Sequence, residues 1–207
     1  MKFSRICLIR HGETDWSRSG RHTGRTDLAL TSTGEAQARE LGQRLDGVRF
    51  DHVWCSPRRR ARETCRLAGL DGQAVIKADL HEWDYGDYEG LTSVEIRRLV
   101  PDWNLFSHGC PHGESPEQVT ARINGVIAQL RALDGNIALV AHGHFLRVLT
   151  VRWLGLPITA ADQFQLGTAS LSVLGISGSL HLWNETSGAV SQLLSPQPFT
   201  VHVPTSQ

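Results

Sequence analysis

A three-layer α/β/α domain, with a mostly parallel central sheet and an antiparallel C-terminal hairpin, is the fold class this sequence predicts. Three observations carry that expectation. The runs Ile6-Cys7-Leu8-Ile9 and Ile137-Ala138-Leu139-Val140-Ala141 are unbroken apolar stretches, the pattern of strands buried on both faces. Segments of helical periodicity alternate with them, which calls for helices crossing over a parallel sheet. Ser170 to Ile176 and Leu180 to Trp183 flank Ser177-Gly178-Ser179, the mark of a hairpin.

Taken in order, residues 5–10 read as the first strand. Thr31-Ser32-Thr33-Gly34-Glu35 opens a helix running to about Leu45, with Ser32 and Glu35 spaced as a capping box and Gly47 as a stop. Phe50 to Cys55 is the second strand. Ser56-Pro57 then reads as a cap and first helical position for a helix carrying Arg58 to Leu67. Ala74 to Lys77 is a short third strand. Ser115-Pro116-Glu117-Gln118 caps a further helix, whose stripe is Val119, Ile123, Val126, Ile127, Leu130 and Leu133, ending by Asn136. After the strand ending at Ala141, Phe145 to Leu154 is the next helix. The absence of repeats and low-complexity linkers predicts one domain over residues 1–195, followed by an irregular tail over 196–207.

Composition narrows the function. The chain has 207 residues, of which 40% are hydrophobic and 20% charged, ordinary values for a globular protein. Lys+Arg and Asp+Glu are both 21, so no global charge argues for nucleic acid or an anionic membrane. Nearly all the positive side chains are arginine, whose planar fork suits phosphate oxygens; the lysines are Lys2 and Lys77. No apolar stretch reaches a transmembrane length, and the first apolar run stops at Arg10, so no secretory leader is expected. Cys7, Cys55, Cys65 and Cys110 form no CxxC pair, which predicts reduced thiols and a cytoplasmic setting.

The chemistry concentrates at strand ends. Arg10-His11-Gly12-Glu13-Thr14 and His142-Gly143-His144 each put a histidine where an apolar strand gives way to glycine, and ligands of open α/β sheets sit outside such carboxyl ends. A third strand ends at Ser56 and leads into Arg58-Arg59-Arg60-Ala61-Arg62. On a helix, Arg58 and Arg62 share a face while Arg60 points elsewhere. Brought together, these residues offer an imidazole nucleophile among fixed cations, the environment a phosphoryl dianion requires. Phosphoester cleavage also needs a proton for the departing alkoxide. The segment Glu82-Trp83-Asp84-Tyr85-Gly86-Asp87-Tyr88-Glu89-Gly90 offers four carboxyls among aromatic rings, and spacing does not choose among Glu82, Asp84, Asp87 and Glu89. The pairs His142/His144 and His108/Cys110/His112 follow no zinc-like pattern, so no metal and no cofactor are expected. Tyr88, Trp103, Trp153 and Trp183 read as packing residues.

These segments, in their order, resemble the motifs of the histidine phosphatase superfamily, the group that contains cofactor-dependent phosphoglycerate mutase and the histidine acid phosphatases. The match spans residues 8 to 147, about two-thirds of the chain. It is nearer still to the sedoheptulose-bisphosphatase-like branch and its bacterial acid phosphatase relatives, which share Trp16-Ser17, Thr23-Gly24, the run from Glu82 to Gly90, Gly109-Cys110 and His142-Gly143-His144 with Arg147. The resemblance implies a phosphoglycerate mutase-like fold and a metal-independent phosphomonoester hydrolase acting through a phosphohistidine. It makes His11 the nucleophile, Arg10, Arg60 and His142 the phosphoryl-binding groups, and Glu82 the general acid and later base. It selects Arg60 as the arginine four residues after the motif serine. Ser17, Thr23, Gly24, Trp83, Tyr85, Gly143 and Arg147 resemble substrate-binding positions, with Ser17 where the mutases carry asparagine. The implied partner is a small phosphorylated metabolite, a sugar phosphate or bisphosphate, and a homodimer is expected because superfamily members are often dimers. A mutase is disfavoured because only 59 residues lie between Glu82 and His142 and few are basic. An inactive phosphate-binding scaffold is disfavoured because nucleophile, acid, arginines and second histidine are all present.

Overall fold

The computed structural model describes residues 5–188 together with Val190 and Leu194. The expected tail over 196–207 lies outside the described residues. Six strands form one sheet in the order β3-β2-β4-β1-β5-β6. They are β1 (Arg5–Arg10), β2 (His52–Cys55), β3 (Ala74–Ile76), β4 (Ile137–Ala141), β5 (Leu171–Gly175) and β6 (Ser179–Glu185). The pairs β1–β4, β2–β4 and β2–β3 are parallel, while β1–β5 and β5–β6 are antiparallel. The α helices are α1 (Asp15–Arg18), α2 (Ser32–Arg44), α3 (Arg59–Leu67), α4 (Ser93–Leu99), α5 (Leu105–His108), α6 (Pro116–Arg131) and α7 (Gly143–Trp153).

The two-residue period of a strand sorts the central side chains into two cores. Ile6 and Leu8 of β1, with Ile137, Leu139 and Ala141 of β4, pack on one face with the apolar stripe of α6 and with Phe145, Leu146 and Leu149 of α7. Cys7 and Ile9, with Ala138 and Val140, pack on the other face with Leu41 of α2 and with Ala61 and Cys65 of α3. Both faces are covered, so β4 is buried along its whole length, as its composition requires. The three layers match the expected fold. Among the described residues, no helix is long and apolar enough to cross a membrane.

Several boundaries differ from the sequence expectation, each for a local reason. Helix α2 is capped by Thr31, whose hydroxyl accepts from Gly34 N (3.0 Å), so no box forms between Ser32 and Glu35. Strand β2 begins at His52, where its partner β4 begins, and Phe50 turns its ring into the core. Helix α3 begins at Arg59 with Arg58 as N-cap, leaving Ser56 and Pro57 outside it. Strand β3 stops at Ile76, opposite the end of β2, one residue short of Lys77. Helix α6 has Ser115 as its cap, as expected, and Gln118 closes a capping box with it, but the helix ends at Arg131, well before Asn136. Helix α7 starts at Gly143, directly after β4.

The loop after β1 is pinned by close backbone approach. A Cβ on Gly34 would collide with Glu13 O, and one on Gly12 with Gly34 O. Gly12 N also donates to Thr64 Oγ1 (3.0 Å), and Thr64 in turn donates to Arg60 O (2.8 Å), tying this loop to α3. Gly125, in contrast, sits exposed within α6, where an added Cβ meets nothing within 4 Å. Gly34→Ala is therefore expected to destabilise by roughly 1–3 kcal/mol, and Gly125→Ala to stabilise by up to about 1 kcal/mol. Thermal unfolding midpoints moving in opposite directions check both; a rise for Gly34→Ala would contradict the close approach.

Candidate active site

Strand register sets the frame of the site. Arg10 of β1 stands opposite Ala141 of β4, and Cys55 of β2 opposite Val140. The next residues continue the ladder: His11 N donates to Ala141 O (3.0 Å) and Ser56 N to Val140 O (3.0 Å). Ser56, His142 and His11 thus stand side by side at the carboxyl edge of three parallel strands. The rings of His11 and His142 lie 5.3 Å apart, edge to face.

His11 is buried, and its Nδ1 lies 2.7 Å from Gly12 O. A carbonyl only accepts, so Nδ1 carries the proton and the lone pair resides on Nε2. Burial, then the charges of Arg60 and Arg10, hold the imidazole well below its ordinary pKa. The group is a neutral imidazole with an oriented lone pair, which can serve as a nucleophile. His142 is likewise kept neutral, chiefly by burial and then by Arg60 and His11.

Arg60 projects inward from the first turn of α3 and is 0% exposed. Its Nη atoms donate to Thr26 O (2.9 Å), Thr23 O (2.8 Å) and Gly24 O (3.3 Å). Arg10 donates through Nη1 to Leu166 O. Among the described residues, the buried side-chain nitrogens without a hydrogen-bond partner are Arg10 Nε, Arg58 Nε, Arg60 Nε and His142 Nδ1. The nitrogens of Arg10 and Arg60, with their charges beside the neutral His11 ring, can receive an anion with several oxygens.

The four carboxyls of the acidic segment separate cleanly. Glu82 is buried at the start of α7: Oε1 accepts from Trp83 N (3.0 Å) and Phe145 N (2.8 Å), and Oε2 from His144 N (3.0 Å). Asp84 pairs with Arg25 (2.6 Å), and Asp87 with exposed His112 (2.9 Å). Glu89 accepts from Gly24 N (2.9 Å) and Thr26 N (2.9 Å), which braces the loop whose carbonyls hold Arg60. Of the four, only Glu82 shares a cleft with His11 and Arg10.

That cleft has a volume of about 240 Å³. Of the expected substrate positions, Ser17, Thr23, Tyr85, Gly143 and Arg147 line it, while Trp83 and Gly24 do not. The Trp83 ring is wholly buried against Phe106, with Nε1 donating to Glu114 O (2.9 Å); its link to the site is its backbone N–H on Glu82. Gly24 contributes a carbonyl to Arg60 rather than a cleft surface. Ser17 also closes the capping box of α1 with Thr14. Arg147 is buried rather than on the surface, donating from Nε to Ala161 O (2.9 Å). Residue patterns did not single out His22, which also lines the cleft, nor the contact of Ser56 with His142; both depend on contacts remote in sequence. His144 stacks on His22 (5.7 Å) and bonds through Nδ1 to the Tyr85 hydroxyl (2.6 Å). Among the described residues, no group of three or more His, Cys, Asp or Glu side chains is arranged to hold a metal ion.

Comparison with known proteins agrees with this geometry. The family model for the histidine phosphatase superfamily (branch 1) matches residues 6–186. An acid phosphatase of Mycobacterium tuberculosis is 46% identical over 83% of this chain and 86% of its own length. A sedoheptulose 1,7-bisphosphatase of Saccharomyces cerevisiae is 35% identical over 74% of this chain and 69% of its own. The solved structure of the Rv3214 open reading frame product of Mycobacterium tuberculosis superposes with a TM-score of 0.84 at 43% identity, covering 88% of this chain and 98% of that one.

The neutral imidazoles have a consequence for stability. His11, His142 and His144 are all held well below 6.5, with burial the leading cause in each. Below that value the unfolded chain takes up protons that the folded chain does not, so stability is present above the ordinary histidine pKa and is lost as pH falls beneath it. Each such group contributes about 1.4 kcal/mol per pH unit in that window. The unfolding midpoint is expected to fall steadily from pH 7 to pH 5; a midpoint constant over that range would contradict buried neutral histidines.

Proposed function

We propose that this chain, which belongs to the histidine phosphatase superfamily and is a phosphoric monoester hydrolase, works without a metal, through a phosphohistidine on His11, on sugar phosphates or bisphosphates. One observation carries the reading. The neutral His11 ring, its lone pair confined to Nε2, lies among buried nitrogens of Arg10, Arg60 and His142 that have no partner among the described residues.

In the reaction, His11 Nε2 attacks phosphorus in line with the leaving oxygen. Arg10, Arg60 and His142 donate to the equatorial oxygens and spread their charge. Glu82, at the cleft side of this receptor, gives a proton to the departing alkoxide; it then takes one from the water that hydrolyses the phosphohistidine. Its three amide contacts leave one acceptor site open on Oε2, where that proton can sit. Ser17, Thr23 and Tyr85 form the walls that meet the alcohol portion. Arg147 on the same wall supplies a further cation, which suits a second phosphate. The names of the relatives, an acid phosphatase and a bisphosphatase, fit this division between a general phosphoryl site and a polar wall. The four free cysteines support a reducing, cytoplasmic setting.

A screen of phosphorylated metabolites in EDTA tests the proposal. Wild type is expected to release phosphate without metal, His11→Ala to release none, and Glu82→Gln to turn over roughly 10²–10⁴-fold more slowly while still binding. Quenching with alkaline denaturant after mixing with substrate is expected to trap phosphate on His11. Activity that vanishes in EDTA, or survives in His11→Ala, would overturn the mechanism.

A further inference from the structure

Ser56 and His142 are both 0% exposed, and Ser56 Oγ lies 2.6 Å from His142 Nε2. The serine oxygen also accepts from Arg58 N (3.3 Å), at the N-cap of α3. The other ring nitrogen of His142, Nδ1, is buried and has no partner among the described residues. A neutral imidazole has one N–H and one lone pair, and a serine hydroxyl has one proton, so the protons of the pair can be counted.

If Nε2 carried the proton and gave it to Ser56, the hydroxyl proton would lack an acceptor among the described residues, and Nδ1 would turn a lone pair toward an anion. If the hydroxyl donates to Nε2 instead, it accepts from Arg58, gives to His142, and leaves Nδ1–H as a free donor. Only the second arrangement uses every proton and repels no phosphate oxygen.

We infer that Ser56 is a positioning residue, which holds His142 as its Nδ1–H tautomer and so turns that ring into a hydrogen-bond donor for the transferred phosphoryl group. The inference rests on the phosphatase reading for what Nδ1–H meets, but not for the tautomer itself. Burial and the adjacent Arg60, which keep His142 neutral, are what make the choice of tautomer matter. An imidazolium would donate from both nitrogens whatever its neighbour did. The device mirrors the one at His11, where Gly12 O takes the Nδ1 proton and leaves Nε2 as a lone pair. Neighbouring rings of one kind are thereby set to opposite duties: His11 gives electrons and His142 gives a proton contact.

Long-range proton–nitrogen NMR of ¹⁵N-histidine-labelled protein reads the tautomer directly, with His142→Gln identifying the signals. In wild type, His142 is expected to show a protonated Nδ1 and an unprotonated Nε2, and Ser56→Ala to lose that preference. In the phosphate-release assay, Ser56→Ala is expected to lower kcat/KM roughly tenfold, the worth of one buried hydrogen bond. In a His142→Gln background the same change is expected to cost less than twofold, because Ser56 acts through that ring. A protonated Nε2 in wild type, or an equal loss in both backgrounds, would overturn the assignment. Should Ser56→Ala not fold, the wild-type spectrum decides alone. The Nδ1–H tautomer in a protein that cleaves no phosphoester would sustain the Ser56 assignment and overturn the phosphatase reading.

Discussion

The parallel register of β2, β4 and β1 is the constraint on which everything at this site depends. Because Cys55 pairs with Val140 and Arg10 with Ala141, the residues just past each strand emerge at one level: Ser56, His142, His11. A slip of one residue in any of the three would send its strand's apolar side chains to the wrong core and its polar end residue to the wrong face. Burial of β4 on both sides forbids that slip. The hydrophobic effect that places Ile137 to Ala141 therefore also fixes the separation of the two imidazoles.

The site is strongly cationic and mostly uncompensated. Arg60 is wholly buried, yet its contacts are carbonyl oxygens of Thr23, Gly24 and Thr26 rather than a carboxylate. Dipoles orient a guanidinium without cancelling its charge, which leaves that charge available to a dianion. The acidic side chains nearby are diverted: Glu89 to backbone amides, Asp84 to Arg25, Glu114 to Arg122. Glu82 alone keeps a place on the cleft, gripped by amides at the first turn of α7.

Much of this was legible in the residues, and the remainder failed for identifiable reasons. Strand β4, the capping box of α6 and the C-terminal hairpin are local patterns, and each formed where its pattern lay. Choosing among Arg58, Arg60 and Arg62 was not local. Helix phase depends on where α3 begins, and the hydroxyl of Ser56 is engaged by His142, 86 residues away, instead of capping that helix. The family resemblance selected Arg60 where spacing could not. The choice among four carboxyls likewise turned on amides supplied by α7, some 60 residues further on. Helices α1, α4 and α5 escaped because they are short, carrying four, seven and four residues with little apolar periodicity. Trp83, a position supplied by the family resemblance, has its ring in the core against Phe106, a placement that depends on a contact 23 residues away.

The carbonyl cradle around Arg60 also bears on how such a protein diversifies. A guanidinium already immobilised does not adapt to its guest, so it recognises what all phosphate esters share and is blind to the alcohol they carry. On the proposed reading, selectivity then falls to side chains outside the cradle, such as Ser17, Arg21, Ser93 and Gln165, which also line the cleft. New substrates can be acquired by redrawing that lining while the machinery beneath it stays untouched.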